Sequence, residues 1–409
     1  MKNKYYRTNN NKKIITYLIS IFSFILIFEN LIRHLLGDSG SLINVIKVGF
    51  CIILIFISII DGTVRRSNKY INLIFITFII ILLLKILKEG TLYYFTNWIF
   101  ENNNINYIMW YVYFFVFSQI YDKVDKNIVF KHLKVFSFII IIISFYFFIT
   151  NNYYGMVSYE FMLEFNWVGT NLTRMMSIFS NPNHAGLYFL LMLLILDLEN
   201  IKNKTSILNI NTVLLIICNI LTFSRTSIIC LMIYLIFRNK VYSKYNSTNK
   251  QWGKILKRYR YFLYVISGLL LISIIINNFN IYFFKIKNLL NNTRLERWKI
   301  GIDYMNKYIL IGTPFSQKIE GIGNRFESLI FSDNLFIEVA SRFGIILPVL
   351  ISSFIISKVI IYLRKGDFIM ISILLIFIIA SLLSGTIHFS TPLYLFIYYC
   401  FIRKSYDIK

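Results

Sequence analysis

The sequence predicts an all-α polytopic membrane protein with about 12 transmembrane helices and two large extracytoplasmic loops. Three observations carry that prediction. First, the 409 residues are 57% hydrophobic and only 15% charged, whereas a soluble chain carries roughly a quarter charged residues. Second, apolar runs of the length needed to cross a bilayer, about 17 to 25 residues, recur from one end of the chain to the other. Third, lysines and arginines gather in alternate connecting segments, as they do when cytoplasmic loops retain them.

Twelve spans fit the apolar runs, near residues 14–33, 41–60, 70–87, 104–121, 131–149, 181–198, 206–223, 226–238, 260–277, 334–362, 368–385 and 390–402. They leave no stretch for a separate soluble domain, so residues 1–409 read as a single integral membrane domain. The basic start (Lys2, Lys4, Arg7, Lys12, Lys13) runs into Ile14–Phe28 without a small-residue cleavage site, so the first helix is expected to remain as an anchor. Cys51, Cys218, Cys230 and Cys400 all fall inside spans with no metal-ligand spacing. They predict neither a disulfide nor a metal site.

An even number of spans puts both termini on one side, and the basic residues choose that side. With the N-terminus inside, inner segments hold Arg65, Arg66 and Lys69, then Lys123, Lys126, Lys131 and Lys134, then Lys202 and Lys204. The dense basic cytoplasmic loop 239–259 and the tail residues Arg403, Lys404 and Lys409 complete the set. The expected location is the cytoplasmic (inner) membrane, with both termini cytoplasmic. Most of the formal charge of +24 is then a topology signal suited to anionic lipid, and no nucleic-acid partner is expected. The orientation sends segments of about 150–180 and 278–333 outside, along with the tight turn at Ser224-Arg225-Thr226. The second long loop is rich in basic residues, which long translocated loops tolerate.

Polar residues with chemical potential concentrate on that outer face. The first group is Arg174-Met-Met-Ser-Ile-Phe-Ser180-Asn181-Pro182-Asn183-His184-Ala-Gly186. Asn181 suits a helix cap and Pro182 the first helical position, which does not account for Arg174; His184, one turn in, is either a satisfied structural residue or a functional one. The second group is Leu221-Thr-Phe-Ser224-Arg225-Thr226. Arg225 there either snorkels to lipid phosphate or is oriented by a specific partner, as intramembrane charges usually are. The third begins Arg294-Leu-Glu-Arg297-Trp298 and continues through Gly321-Ile-Gly323 to Ser332-Asp333-Asn334-Leu335. Arg294 and Arg297 are three apart, which puts both on one helix face. Such a face either grips phosphate with donors that keep their proton or lies solvated on the membrane. Glu338 and Arg342 are four apart with the acid first, and are expected to pair with each other.

In this order and spacing the three groups resemble the O-antigen ligase/polymerase family, and within it the polysaccharide polymerases of capsule and O-antigen assembly. The resemblance spans about residues 165–350. It implies a metal-independent glycosyltransferase without cofactor that polymerises undecaprenyl-pyrophosphate-linked oligosaccharide repeat units on the outer face of the membrane. It also implies membrane lipids, and a chain-length regulator and flippase of the same pathway, as partners. The leaving pyrophosphate requires preorganised cations, and the attacking sugar hydroxyl an acceptor for its proton. Arg225 and Arg294, with Arg297 and Arg174, are expected on the pyrophosphate and Asp333 on the hydroxyl. Asn183, His184 and Asn334 are expected to orient sugar or phosphate oxygens. In the ligase branch a histidine commonly stands where Asp333 stands here, a departure that bears on the choice between polymerase and O-antigen ligase.

A flippase or transporter of the same lipid-linked unit is the main alternative from another class. Such proteins carry internal repeats and polar residues at mid-membrane. This chain shows no obvious repeat, and its buried charges at this stage are Lys47, Glu338 and Arg342. A polyprenyl-phosphate-sugar glycosyltransferase would use paired carboxylates in the first outer loop, where Glu29 and Asp38 are far apart.

Overall fold

The computed structural model describes residues 2–36, 40–60, 69–100, 105–120, 124–150, 165–167, 170–172, 174–179, 181–202, 210–245, 292–317 and 334–383. These residues form helices α1 (Lys2–Ile27), α2 (Glu29–Leu35), α3 (Gly40–Ile60), α4 (Lys69–Glu89), α5 (Tyr93–Phe100), α6 (Ile105–Ile120) and α7 (Lys126–Thr150). A two-stranded antiparallel hairpin follows, β1 (Phe165–Trp167) with β2 (Thr170–Leu172), in which Asn166 faces Asn171. Then come α8 (Pro182–Lys202), α9 (Ile210–Leu221), α10 (Arg225–Tyr245), α11 (Asn292–Lys307), α12 (Leu335–Phe343), α13 (Ile346–Lys365) and α14 (Phe368–Leu383).

The helical character follows from the sequence, because only helices satisfy every backbone donor and acceptor within an isolated apolar segment. Among the described residues α4, α7 and α13 are by length and composition sufficient to cross a membrane, and the bent pair Lys12–Ile27 with Glu29–Leu35 is either a broken fourth span or a re-entrant loop. Shorter apolar helices at Leu42–Ile57, Tyr107–Ile120, Pro182–Asp197, Ile210–Leu221 and Met370–Leu383 sit on five further expected spans. The expected spans 260–277 and 390–402 lie outside the described residues, as does most of loop 239–259, into which α10 extends as far as Tyr245.

Two expected spans are not continuous helices. Residues 14–33 bend by 69° between α1 and α2. At the start of α2, Glu29 accepts from Arg33 at 2.7 Å and from the fully buried Lys47 of α3 at 2.9 Å. A charge cluster thus holds the short helix against α3 and away from the axis of α1. The expected span 334–362 is likewise two helices, α12 and α13, broken at Gly344. Gly344 adopts φ 82°, and a Cβ there would lie 2.0 Å from the Leu310 carbonyl oxygen.

The break is held by segment 308–317, which doubles back onto it. Thr313 donates through both its N–H and its Oγ to the Ser341 carbonyl, at 2.8 and 2.9 Å. The Ile345 N–H donates to the Ile309 carbonyl at 2.8 Å, and Lys85 of α4 donates to the Arg342 carbonyl at 2.9 Å. The carbonyls left over at the C-terminus of α12 are thereby satisfied, and the Lys85 charge suits the negative end of the helix. A side chain at residue 344 would meet backbone and also take a left-handed φ. Gly344→Ala is therefore expected to destabilise the fold by about 1–3 kcal/mol, measured as a lower melting temperature in detergent. An unchanged melting temperature would show that the loop moves aside freely.

Helix directions within the bundle follow from contacts at both ends of each pair. The Asp125 N–H, just before α7, donates to Thr16 Oγ midway along α1 at 2.8 Å, and Phe24 meets Phe136 further along both helices. α1 and α7 therefore run parallel.

Candidate functional site

The first two polar groups of the sequence fold into one knot at the start of α8 and α10. Asn181 caps α8 as its position predicts, its Oδ1 accepting from the Asn183 N–H at 2.8 Å, and Pro182 opens the helix. Ser224 plays the corresponding part for α10, its Oγ accepting from the Ser227 N–H at 3.3 Å. The same hydroxyl donates to Asn183 Oδ1 at 2.7 Å, so the two helix starts are tied side chain to side chain. Gly186 permits this approach: a Cβ there would stand 2.3 Å from Ser227 Oγ.

α9 runs antiparallel to both helices and closes the knot from its C-terminal end. Asn219 Nδ2 donates to the Gly186 carbonyl at 2.7 Å, and Thr222 Oγ donates to the Asn219 carbonyl at 2.7 Å. Arg174 reaches over the end of α9, donating from Nε to the Thr222 carbonyl at 2.9 Å and from Nη2 to the Phe223 carbonyl at 3.1 Å. Those carbonyls sit at the negative end of α9, where a cation is favoured. The turn is tight enough to hold Phe223 at φ 48°.

Beside the negative end of α9, the knot gathers positive charge from two helix starts. α8 and α10 run parallel, since Asn183 meets Ser224 at one end and Asp197 meets Arg238 at the other. Their positive N-terminal ends therefore lie side by side. Arg225 is the first residue of α10 and is half-buried, as is Arg174. Burial, and after it the Arg225 charge, push the Arg174 guanidinium down to about 10, which leaves it charged at neutral pH. Two guanidinium groups and two helix N-termini in one place form an environment that favours an anion. His184 shares the first turn of α8 but is buried, with its N–H on the Asn181 carbonyl at 3.0 Å.

The remaining expected site residues form a second grouping. Arg294 and Arg297 both lie on α11, as their spacing predicts, and α11 packs on α12. Arg297 and Trp298 are half-buried. Asn334 caps α12, its Oδ1 accepting from the N–H groups of Phe336 at 3.0 Å and Ile337 at 3.2 Å. Its Nδ2 donates to the Leu382 carbonyl at 3.5 Å, so the amide expected to orient substrate oxygens is engaged in holding a helix end. Asp333, immediately before that cap, lies outside the described residues. α14 packs against both α10 and α12, which joins the two groupings in one bundle.

The structure also adds residues to which sequence reasoning gave no part. Glu338 and Arg342 pair as expected, at 2.6 Å, but they are the centre of a larger buried cluster. Tyr107 of α6 donates to Glu338 at 2.8 Å, and the Arg342 guanidinium lies over the Tyr107 ring at 4.7 Å. The Lys85 ammonium sits 4.0 Å over the Phe315 ring while it donates to the Arg342 carbonyl. A lysine inside an otherwise apolar run is itself a signal, and Lys85 was legible on that ground. Ser224 carried no signal beyond its place before a helix.

Residues 210–352 match the sequence model of a family described as O-antigen ligase. The matched segment runs from the start of α9 into α13 and includes the Ser224-Arg225 turn, α11 and the buried Glu338–Arg342 pair. No curated protein matches the chain. An apolar helical bundle, an arginine-bearing turn between two of its helices and this match converge: the chain is a membrane protein similar over residues 210–352 to the O-antigen ligase family of membrane enzymes of polysaccharide assembly.

Proposed function

We propose that this protein polymerises undecaprenyl-pyrophosphate-linked oligosaccharide units into a capsular or O-antigen-type polysaccharide on the outer face of the cytoplasmic membrane. The observation that carries the reading is the convergence of Arg174, Arg225 and the N-termini of α8 and α10. A pyrophosphate placed there would meet the start of α10 at Arg225 and the start of α8, with Arg174 held close by on the Thr222 and Phe223 carbonyls. With Asn183 Oδ1 occupied by Ser224, the amide nitrogen of Asn183 is the end of that side chain suited to a phosphate oxygen. The distribution of lysine and arginine supports an outward-facing site, and both termini are then cytoplasmic.

In the reaction, a hydroxyl oxygen of the acceptor sugar bonds to the anomeric carbon of the donor glycan. The bond from that carbon to the pyrophosphate oxygen breaks, and its electron pair leaves with the pyrophosphate. The hydroxyl proton passes to an acceptor, the role assigned to Asp333. Arg174 and Arg225 stabilise the charge growing on the leaving group, which is the largest electrostatic demand of the step. Arg294 and Arg297, on a helix packed against α12, are assigned to the same diphosphate.

Asp333→Asn is expected to be nearly inactive and Asp333→Glu partly active in polymer formation by membranes, at equal protein level. Full activity of the Asn variant would remove the proton-accepting role. The family match itself favours one second reading, transfer of a finished glycan to a different acceptor, as the description O-antigen ligase says. Cells lacking the protein separate the readings. Accumulation of single repeat units identifies a polymerase, full-length polymer still on its lipid carrier a ligase, and lipid-linked units trapped inside a flippase.

A further inference from the structure

A buried ion pair lies at the opposite end of α8 and α10 from the arginine knot. Arg238 contacts Asp197 through Nε at 2.5 Å and through Nη2 at 3.0 Å, and Tyr234 donates to the same carboxylate at 2.5 Å. Asp197 is 1%, Tyr234 2% and Arg238 6% exposed. The contact is 14 residues from the Asn183–Ser224 contact along α8, about 21 Å at the rise of a helix. Neither side chain can therefore reach a diphosphate held at the outer end. The sequence offset is the same at both ends: Asn183 meets Ser224, Gly186 meets Ser227, and Asp197 meets Arg238. The two parallel helices hold one register over this whole length.

Close packing marks that register at the outer end, where Gly186 lies against Ser227. Further along, α8 carries Leu190, Leu191, Leu193 and Leu194, a stretch that apolar packing specifies less sharply. A slip that separated Asp197 from Arg238 would leave charges buried and unpaired, at a cost of several kcal/mol. Specifying register is the best-attested use of a polar group in an apolar seam.

We propose that Asp197, Arg238 and Tyr234 are positioning residues for the outer site: by fixing the register of α8 against α10 they keep the two helix N-termini level, and with them Asn183 and Arg225. The functional part of this inference rests on the anion-site reading above. The register part does not, and the experiment separates them.

The test is performed in a full-length chain whose four native cysteines are replaced by alanine, with Asn183→Cys and Ser224→Cys added as a register reporter. Oxidation is expected to crosslink the pair. Replacing the clamp by an apolar pair, Asp197→Leu with Arg238→Met, is expected to preserve protein level but lose the crosslink. The charge swap, Asp197→Arg with Arg238→Asp, is expected to regain it. In the native-cysteine chain the apolar pair should raise KM for the lipid-linked donor more than it lowers kcat, because the residues that meet substrate are still present but misaligned. A crosslink undiminished in the apolar pair would overturn the proposal. A crosslink lost while KM and kcat stay normal would keep the clamp as a register device and overturn its link to the outer site.

Discussion

Arg225→Ala is expected to abolish long polymer while leaving the amount of protein in the membrane unchanged. Arg225 opens α10 at a helix end that is already positive, beside a second, half-buried guanidinium on Arg174. A cation on the first residue of a helix is not favoured by the helix dipole, so deleting it is not expected to unfold the protein. Its value appears when negative charge develops on a leaving diphosphate. Removing one preorganised donor of that kind typically lowers kcat by about 10²–10³-fold. Arg225→Lys should recover only part of the activity, since an ammonium lacks the fork that matches phosphate oxygens. The check is the polymer ladder from membranes normalised to protein level, together with the melting temperature with and without inorganic pyrophosphate. Pyrophosphate should stabilise the parent chain and not the alanine variant. Normal polymer length in the alanine variant would sink the phosphate-clamp reading.

Glu338→Gln is expected to act in the opposite way, removing folded protein rather than chemistry. Glu338 is fully buried and holds both Arg342 at 2.6 Å and the Tyr107 hydroxyl at 2.8 Å. Neutralising it leaves the Arg342 charge buried without its counterion, and breaking a buried pair from one side costs about 3–5 kcal/mol. That is a large part of the stability of an ordinary domain. The double change Glu338→Leu with Arg342→Met removes both charges and should restore much of the loss. Tyr107→Phe should cost less, about 1.5–3 kcal/mol, the value of one hydrogen bond to a charged group. Thermal unfolding in detergent and membrane level test all three. A stable Glu338→Gln protein would mean that Arg342 finds another counterion and that the cluster does not hold the broken span together.

These two expectations differ because the sequence presents both residues as charges near a membrane boundary, and only the fold separates them. The pairing of Glu338 with Arg342 was readable from a spacing of four on a helix. The hold that Tyr107, Lys85 and Phe315 have on that pair was not, because those residues come from three distant parts of the chain. Asn334 shows the same limit from the other side. Next to Asp333 it reads as a substrate ligand, yet both ends of its amide are bound to backbone. The caps at Asn181 and Pro182 were legible because capping depends only on a few neighbouring residues.

The sequence alone determined that the chain is a helical membrane protein, where most of its apolar helices run, that Arg225 stands at a tight turn between two of them, and that Arg294 and Arg297 share one helix face. These are local properties: hydropathy over one span, spacing over one turn, charge between spans. The tertiary structure decided that the expected span 334–362 breaks at Gly344, that α8 and α10 are parallel and in register, and that Arg174 reaches the end of α9 beside Arg225. Those outcomes depend on side chains brought together across many tens of residues. In an apolar medium the hydrophobic pattern makes leucine faces nearly interchangeable, so a small number of buried polar contacts selects the arrangement.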